Sequence, residues 1–541
     1  MAETFAKIKR RGTDLLQNAP SLPQVQLPAM PNVQLPSMSS VGSGLLSNTL
    51  KGTWQPIDLP PLPRSAHSLD IVASNAYIFG GEADDDDQTG APAKNDMHVV
   101  VLPWGDIGNS ADYYAVPAKP SPKTQGDKSA PPPITIAEPE TSAGEDKGKG
   151  KAFEGSDQLV PEARSGHATA VIGSRIFLFG GRSGSRTLEE NGRVWVFETK
   201  TATWTFLDPY NSPSTPSTTF PAGRSGHIAV ASDQPRDFAK TMKPVRRTTT
   251  WKEWAEGDSG EVGIPQRPIT GHVAERATDD EDAGYGTFFV HGGNIIAGNG
   301  GTTRRSSDVW AFDVHARTWT QLPDAPGPSR AGASLAMVKT RLYRFGGSDT
   351  DRVLGGQLDV LELQLDDQTI FGEVGVKSRG GWESILAPPS SSPASSAADY
   401  PAPRTASAMS LVKAGGGWEY LVLQMGQSSP SPSLPPSASS PSCHNDIWAF
   451  QVPPEVGSAA SVADAFWTTL GRKKGGEFAG TWTRVVPGPF DPDLDWLGGP
   501  APRGLFAAAP MGDLEENAIF VLGGVDEAGR RLGDAWIFRL G

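Results

Sequence analysis

The chain has one cysteine, Cys443, among 541 residues. No internal disulfide can form, and a reducing compartment, the cytoplasm, is the expected location. There is no run of eighteen apolar residues, so no helical membrane span is expected. The N-terminal stretch has no apolar core, and no secretory signal is expected there. Positive charge is short: 48 Lys and Arg face 61 Asp and Glu, a net charge of −13. Nucleic-acid backbones and anionic membranes are therefore poor partners for the body as a whole. No Ser/His/Asp signature and no paired-carboxylate motif stands out.

What is present is a strand pattern. Between Pro161 and Pro209 four short runs are separated by Gly, Ser, Asn and Thr turns: Ala168 to Ile172, Arg175 to Phe179, Arg193 to Glu198 and Thr203 to Leu207. Runs this short, rich in β-branched and aromatic residues, read as strands. One such unit cannot bury both faces of its sheet, so copies must stack.

The copies are in the chain. Arg64, Arg164, Arg224, Arg330, Arg404 and Arg503 each open a unit, the first three as Arg-Ser-x-His with His67, His167 and His227. Doublets end the second strand at Gly80-Gly81, Gly180-Gly181, Gly292-Gly293, Gly346-Gly347 and Gly523-Gly524, while the fifth unit has Met425-Gly426. The third strand recurs as Asp308-Val-Trp310, Asp446-Ile-Trp448 and Asp534-Ala-Trp536, and Asp359-Val-Leu reads as its counterpart in the fourth unit. The fourth strand carries Trp204, Trp319, Trp382 and Trp482. This pattern resembles the kelch repeat and covers about Thr53 to Leu540.

The resemblance implies an all-β fold: a six-bladed kelch-type β-propeller with four antiparallel strands per blade. The sixth unit ends after its third strand, and Gly52-Thr53-Trp54 matches Gly480-Thr481-Trp482. An N-terminal strand is therefore expected to complete the last blade, which would remove two open edges. The expected layout is a disordered basic and Pro-rich tail over 1–50 and a propeller over 51–541. Blades fall near 60–118, 161–209, 221–323, 327–387, 401–487 and 500–541 plus 52–58. Low-complexity insertions are expected at 116–160, 232–284, 427–444 and 453–480, whose compositions cannot build a core.

Function is expected at the face where the inter-blade connections enter. Six permanently charged guanidiniums at that mouth would form a basic ring in an acidic body, suited to carboxylates. Kelch relatives often use such arginines on acidic partner segments. The expected role is thus a non-catalytic module or scaffold for a protein partner, with no metal and no cofactor. The alternative is a small-molecule enzyme working in the channel, mutarotase-like, epimerase-like or specifier-like. A copper oxidase of this fold needs a Tyr–Cys crosslink, and Cys443 sits in a Ser/Pro loop. No His follows the Glu-x3-Asp-x3 spacing of the iron-dependent specifier proteins. The three matching histidines sit in separate blades, too far apart for zinc–nitrogen bonds. The basic N-terminal segment, with Lys7, Lys9, Arg10 and Arg11, is a further candidate for a membrane or partner contact. Basic pairs before Thr249 and Ser307 mark these as possible phosphosites.

Overall fold

A computed structural model describes residues 50–541 apart from 86–87, 104–109, 123–158, 210–218, 235–284, 298–301, 367–374, 388–399, 416, 430–441, 454–479 and 492–497. The N-terminal tail, Thr249 and most of the four expected insertions lie outside the described residues. Every named regular element is a β-strand.

The strands group into antiparallel sets of four. Set one is Ser68–Val72, Asn75–Phe79, Met97–Val101 and Asp112–Val116. Set two is Ala168–Ile172, Arg175–Phe179, Val194–Glu198 and Thr203–Leu207, close to the runs read from the sequence. Set three is Ile228–Ser232, Thr287–His291, Val309–Asp313 and Thr318–Leu322. Set four is Ala331–Val338, Arg341–Ser348, Gln357–Asp366 and Glu383–Leu386, with Gly375–Ser378 on the far half of its long third strand. Set five is Ala408–Ala414, Trp418–Gln424, Ile447–Gln451 and Trp482–Pro489. Ala507–Pro510, Ala518–Leu522 and Ala535–Leu540 make three strands of set six. The fourth is Leu50–Ile57, antiparallel to Ala535–Leu540 and also parallel to Trp482–Pro489 of set five.

The apolar cores lie between sets rather than within them. Six clusters fill the spaces among the described residues, each drawn from two neighbouring sets, and one of them joins set six to set one. The fourth-strand tryptophans explain why. Trp204 packs 5.1 Å from Phe197 in its own set and 5.0 Å from Phe79 in the set before. Trp319 and Trp482 repeat this on Phe312 with Phe179, and on Phe450 with Phe345. Each indole therefore covers an edge its own sheet cannot. Trp382 is the exception: it lies over the Arg344 guanidinium and donates to the Pro323 carbonyl.

The glycine doublets mark where neighbouring sets touch. A Cβ on Gly80 would sit 2.4 Å from the Arg164 carbonyl oxygen, and one on Gly346 would sit 2.4 Å from that of Arg404. Both glycines also have positive φ, so any other residue there meets a backbone clash and strain.

The register corrects the reading of set four. Leu358 pairs with Phe345 as Val309 pairs with His291, each just before the glycine doublet. Gln357, not Asp359, therefore holds the place of Asp308. Asp359 stands where the other sets have Trp310, Trp448 and Trp536.

Candidate functional site

The six opening arginines are not a ring of free charge. Arg164, Arg224, Arg330, Arg404 and Arg503 are at most 3% exposed, and Arg64 is 6% exposed. Each donates from Nη1 to a carbonyl at the end of its own second strand: Gly80, Gly180, Gly292, Gly346, Met425 or Gly523. In return, the backbone carbonyl of each arginine accepts the amide of Gly81, Gly181, Gly293, Gly347, Gly426 or Gly524 from an adjoining set. The residue is thus a rivet between two sheets.

Its charge is answered internally. Arg224, Arg404 and Arg503 make bidentate bonds of 2.7–2.9 Å to Asp308, Asp446 and Asp534. The indoles of Trp310, Trp448 and Trp536, two residues on, donate to the same carboxylates. Burial alone would raise the Asp308 pKa, but the bonds and charge of Arg224 outweigh it and hold the group at about 2. In set two Arg193 occupies the Asp slot, and Glu190 reaches in from the loop to bind both Arg164 and Trp195. In set one the partner is His98, which accepts from Arg64 at 3.1 Å and therefore donates from Nδ1 to the Tyr113 oxygen at 2.6 Å. Arg330 has only carbonyls, those of Gly346, Pro326 and Pro328. A permanently charged, desolvated guanidinium keeps such partners because an unpaired one would cost several kcal/mol. The binding role expected for Arg64, Arg164, Arg224, Arg330, Arg404 and Arg503 is corrected on this ground: a docking partner meets none of them at the surface.

A second feature closes the same end. The residue two after each arginine is left-handed: Ala66, Gly166, Gly226, Gly332, Ala406 and Leu505, with φ of 52–64°. Their amides and carbonyls bond to one another at 2.8–3.2 Å in one closed cycle: Gly166 to Ala66, Gly226 to Gly166, Gly332 to Gly226, Ala406 to Gly332, Leu505 to Ala406 and Ala66 to Leu505. Three non-glycine members accept a strain of order 1–2 kcal/mol each to complete it. Sequence reading passed over this ring. Its signal is the glycine in Arg164-Ser-Gly, Arg224-Ser-Gly and Arg330-Ala-Gly, hidden by Ala66, Ala406 and Leu505 elsewhere.

Below the ring, the six inner strands enclose a chamber of about 410 Å³. His67, His167 and His227 lie at its ring end and are buried. His227 Nε2 meets the Phe179 carbonyl at 3.1 Å, and His167 Nε2 meets Ser68 Oγ at 3.1 Å. Burial first, then the neighbouring arginines, pushes His67 and His227 down to about 3. They are neutral spacers. No group of three metal-ligating side chains occurs among the described residues.

Asp70 also lines the chamber and is 7% exposed. Burial pushes its carboxyl up from 3.8 to about 7, partly offset by a hydrogen bond from Thr169. The folded state therefore holds this proton more tightly than the unfolded chain, so stability falls as pH rises from about 4 to about 7. The full penalty above that window is roughly 4 kcal/mol at 1.36 kcal/mol per pKa unit. Asp70→Asn removes it. The variant is expected to gain stability over the parent at about pH 8 and to match it near pH 4 in urea unfolding. A difference independent of pH would contradict this.

Outside the ring, the loops between second and third strands rise at the same end. Ser65, Ser165 and Gly504 pair with Glu82, Arg182 and Val525 of these loops, which ties them to the mouth. Their tips carry exposed arginines: Arg186, Arg352 and Arg530, at 62%, 73% and 78% side-chain exposure, with Arg304 on the Thr302–Arg305 strand. Glu82 bridges Arg182 of set two at 2.5 Å and Arg531 of set six at 2.9 Å. Ser307 is half-buried directly before Asp308, and its carbonyl accepts the Ala325 amide.

Comparison with known proteins agrees with this geometry. Residues 151–357 match the family model of the Attractin/LZTR1 beta-propeller. The human Kelch domain-containing protein 3 is 24% identical over 220 residues, 38% of this chain and 53% of that one. Over this region the chain is similar to kelch-type β-propeller proteins. An Arabidopsis thaliana relative of this propeller, acyl-CoA-binding domain-containing protein 4, is 25% identical over 221 residues, 40% of this chain and 24% of its own. A Thlaspi arvense N-(sulfonatooxy)prop-2-enimidothioate sulfolyase is 28% identical over 200 residues, 35% and 53% of the two chains. The chain thus spans about half the length, or less, of these curated relatives.

Proposed function

We propose that this kelch propeller is a non-catalytic protein-interaction module of the cytoplasm. Its six sets are read as six blades of a closed ring, sealed where Leu50–Ile57 completes the last blade. The partner docks on the loop face and presents a carboxylate-rich segment to the loop tips. The carrying observation is the separation of charge at that face. The six opening arginines are buried and answered, whereas Arg186, Arg304, Arg352 and Arg530 stand on projecting loops of four different sets. Three of them pair with Glu162, Asp349 and Asp526 in exposed ion pairs. Such pairs contribute only about 0–1 kcal/mol, so a partner carboxylate can replace them at little cost. The compartment is read from the single cysteine, whose half-buried thiol is pushed up to about 11 by burial, then by Glu527 and Asp526, and so stays protonated.

Selection from a random peptide library on the intact chain tests the reading. Enriched peptides should be rich in Asp and Glu, and their binding should weaken with salt. Combined charge reversal at Arg186, Arg304, Arg352 and Arg530 should reduce their affinity by about tenfold or more, with the melting temperature unchanged. Enriched peptides without acidic bias, or binding that survives the reversal, would reject it.

A further inference from the structure

We propose that the chamber beneath the peptide ring binds a small organic cation, a primary amine or guanidine, with its charged head on Asp70. The six inner strands offer an internal comparison. The positions matching Asp70 are Ala170, Val230, Ala336, Ser410 and Ala509, so the repeat itself has no need of an acid there. The stacking of the sets therefore does not explain Asp70.

Its surroundings point to a ligand. Asp70 is more than nine-tenths buried, yet it faces a cavity of about 410 Å³, within the usual range for small-molecule sites. No Lys or Arg lines that cavity. The three histidines at its ring end are held neutral by burial and the arginines beyond them. Thr169 gives the carboxylate one hydrogen bond. A buried carboxylate with one hydroxyl partner and no countercharge is costly, and such groups concentrate at functional sites. An ammonium or guanidinium supplies both the missing charge and the missing donors.

The walls set the rest of the ligand. Ile71, Val171, Val230, Met337 and Leu411 make much of the lining apolar, so a hydrocarbon body fits behind the charged head. Asp70 is the one carboxylate among the lining residues, which leaves a divalent metal short of ligands. The peptide ring bars the loop face, so entry is from the opposite end, past Ile71, Met337 and Pro510. The site is therefore separate from the loop tips, and the two readings stand or fall independently.

Calorimetry on the full chain at about pH 8, where Asp70 ionises most readily, tests the proposal with benzylammonium chloride as the probe. Sodium chloride at matched ionic strength and benzyl alcohol, its neutral isostere, are the controls. Saturable binding of the cation alone is expected, reduced about tenfold or more by Asp70→Asn and unchanged by a charge reversal at the exposed Arg484, Arg484→Glu. Equal binding of benzyl alcohol, no binding at all, or unchanged binding to the Asn variant would overturn it. Should Asp70→Asn fail to fold, crystals soaked in 4-bromobenzylammonium decide the matter. An anomalous bromine peak in the chamber supports the proposal. A peak only elsewhere, or none, overturns it.

Discussion

Deleting residues 1–58 is expected to lower the melting temperature sharply and to drive most of the chain out of the soluble fraction. Leu50–Ile57 is held on both sides, by Ala535–Leu540 and by Trp482–Pro489. Trp54 is 5% exposed and packs 6.3 Å from Trp536 and 5.0 Å from Phe538. Emptying a buried tryptophan site alone costs about 3–5 kcal/mol. The deletion also strips ladder bonds from two strands and leaves both as open edges, which template aggregation. Gly52 shows how tight the fit is: a Cβ there would lie 2.5 Å from the Phe538 ring. Deleting only residues 1–45 leaves this strand whole and should be nearly neutral. Calorimetric melting of the three proteins checks the expectation. Identical curves would mean that the strand adds nothing to stability.

The second large effect is expected inside set four. Arg344 and Asp359 are both fully buried and meet at 2.5 Å. Ser384 and Gln357 donate to the carboxylate, and the guanidinium donates to the Pro326 carbonyl. Removing one partner, as Arg344→Met or Asp359→Leu, strands a buried charge and should cost about 3–5 kcal/mol. Other sets fill these two places with an aliphatic residue and a tryptophan, such as Val290 with Trp310 or Leu423 with Trp448. The double change Arg344→Leu with Asp359→Trp should therefore recover much of the loss, because apolar replacement of a buried pair is often neutral. Chemical unfolding of the two single variants and the double closes the cycle. Additive losses would show that the pair is not coupled.

These two sites also show where reading the sequence succeeds. The glycine doublets, the Asp-x-Trp spacing and the fourth-strand Trp are each a local pattern with a local cause, and the observed strands follow them. The N-terminal strand was readable because Gly52-Thr53-Trp54 repeats Gly480-Thr481-Trp482. Function depended instead on where charge ends up. Arg224 and Asp308 are 84 residues apart, so their pairing is invisible along the chain. Six repeated arginines look like a basic ring until their burial and their partners, carboxylates for four of them, are placed. Glu190 replaces an Asp from a different loop position, and Asp359 lies two residues from the slot its neighbours suggested. Asp70 stands in an ordinary strand, and only burial without a countercharge sets it apart. Of the loop-tip arginines, Arg186 and Arg352 stand at one spacing from their glycine doublets while Arg304 and Arg530 do not, because those loops are free to differ in length.

The central claim is that charge at the loop face is divided between buried rivets and exposed tips. The most direct measurement is the affinity of one selected acidic peptide for three proteins at a temperature where all are folded: the parent, the loop-tip reversal of Arg186, Arg304, Arg352 and Arg530, and Arg404→Met. The account predicts that the reversal loses about tenfold or more in affinity while keeping its melting temperature. Arg404→Met, which leaves the half-buried Asp446 without its guanidinium partner, should melt lower and bind the peptide as the parent does. Lost binding in Arg404→Met at unchanged melting temperature, with full binding in the reversal, would contradict it.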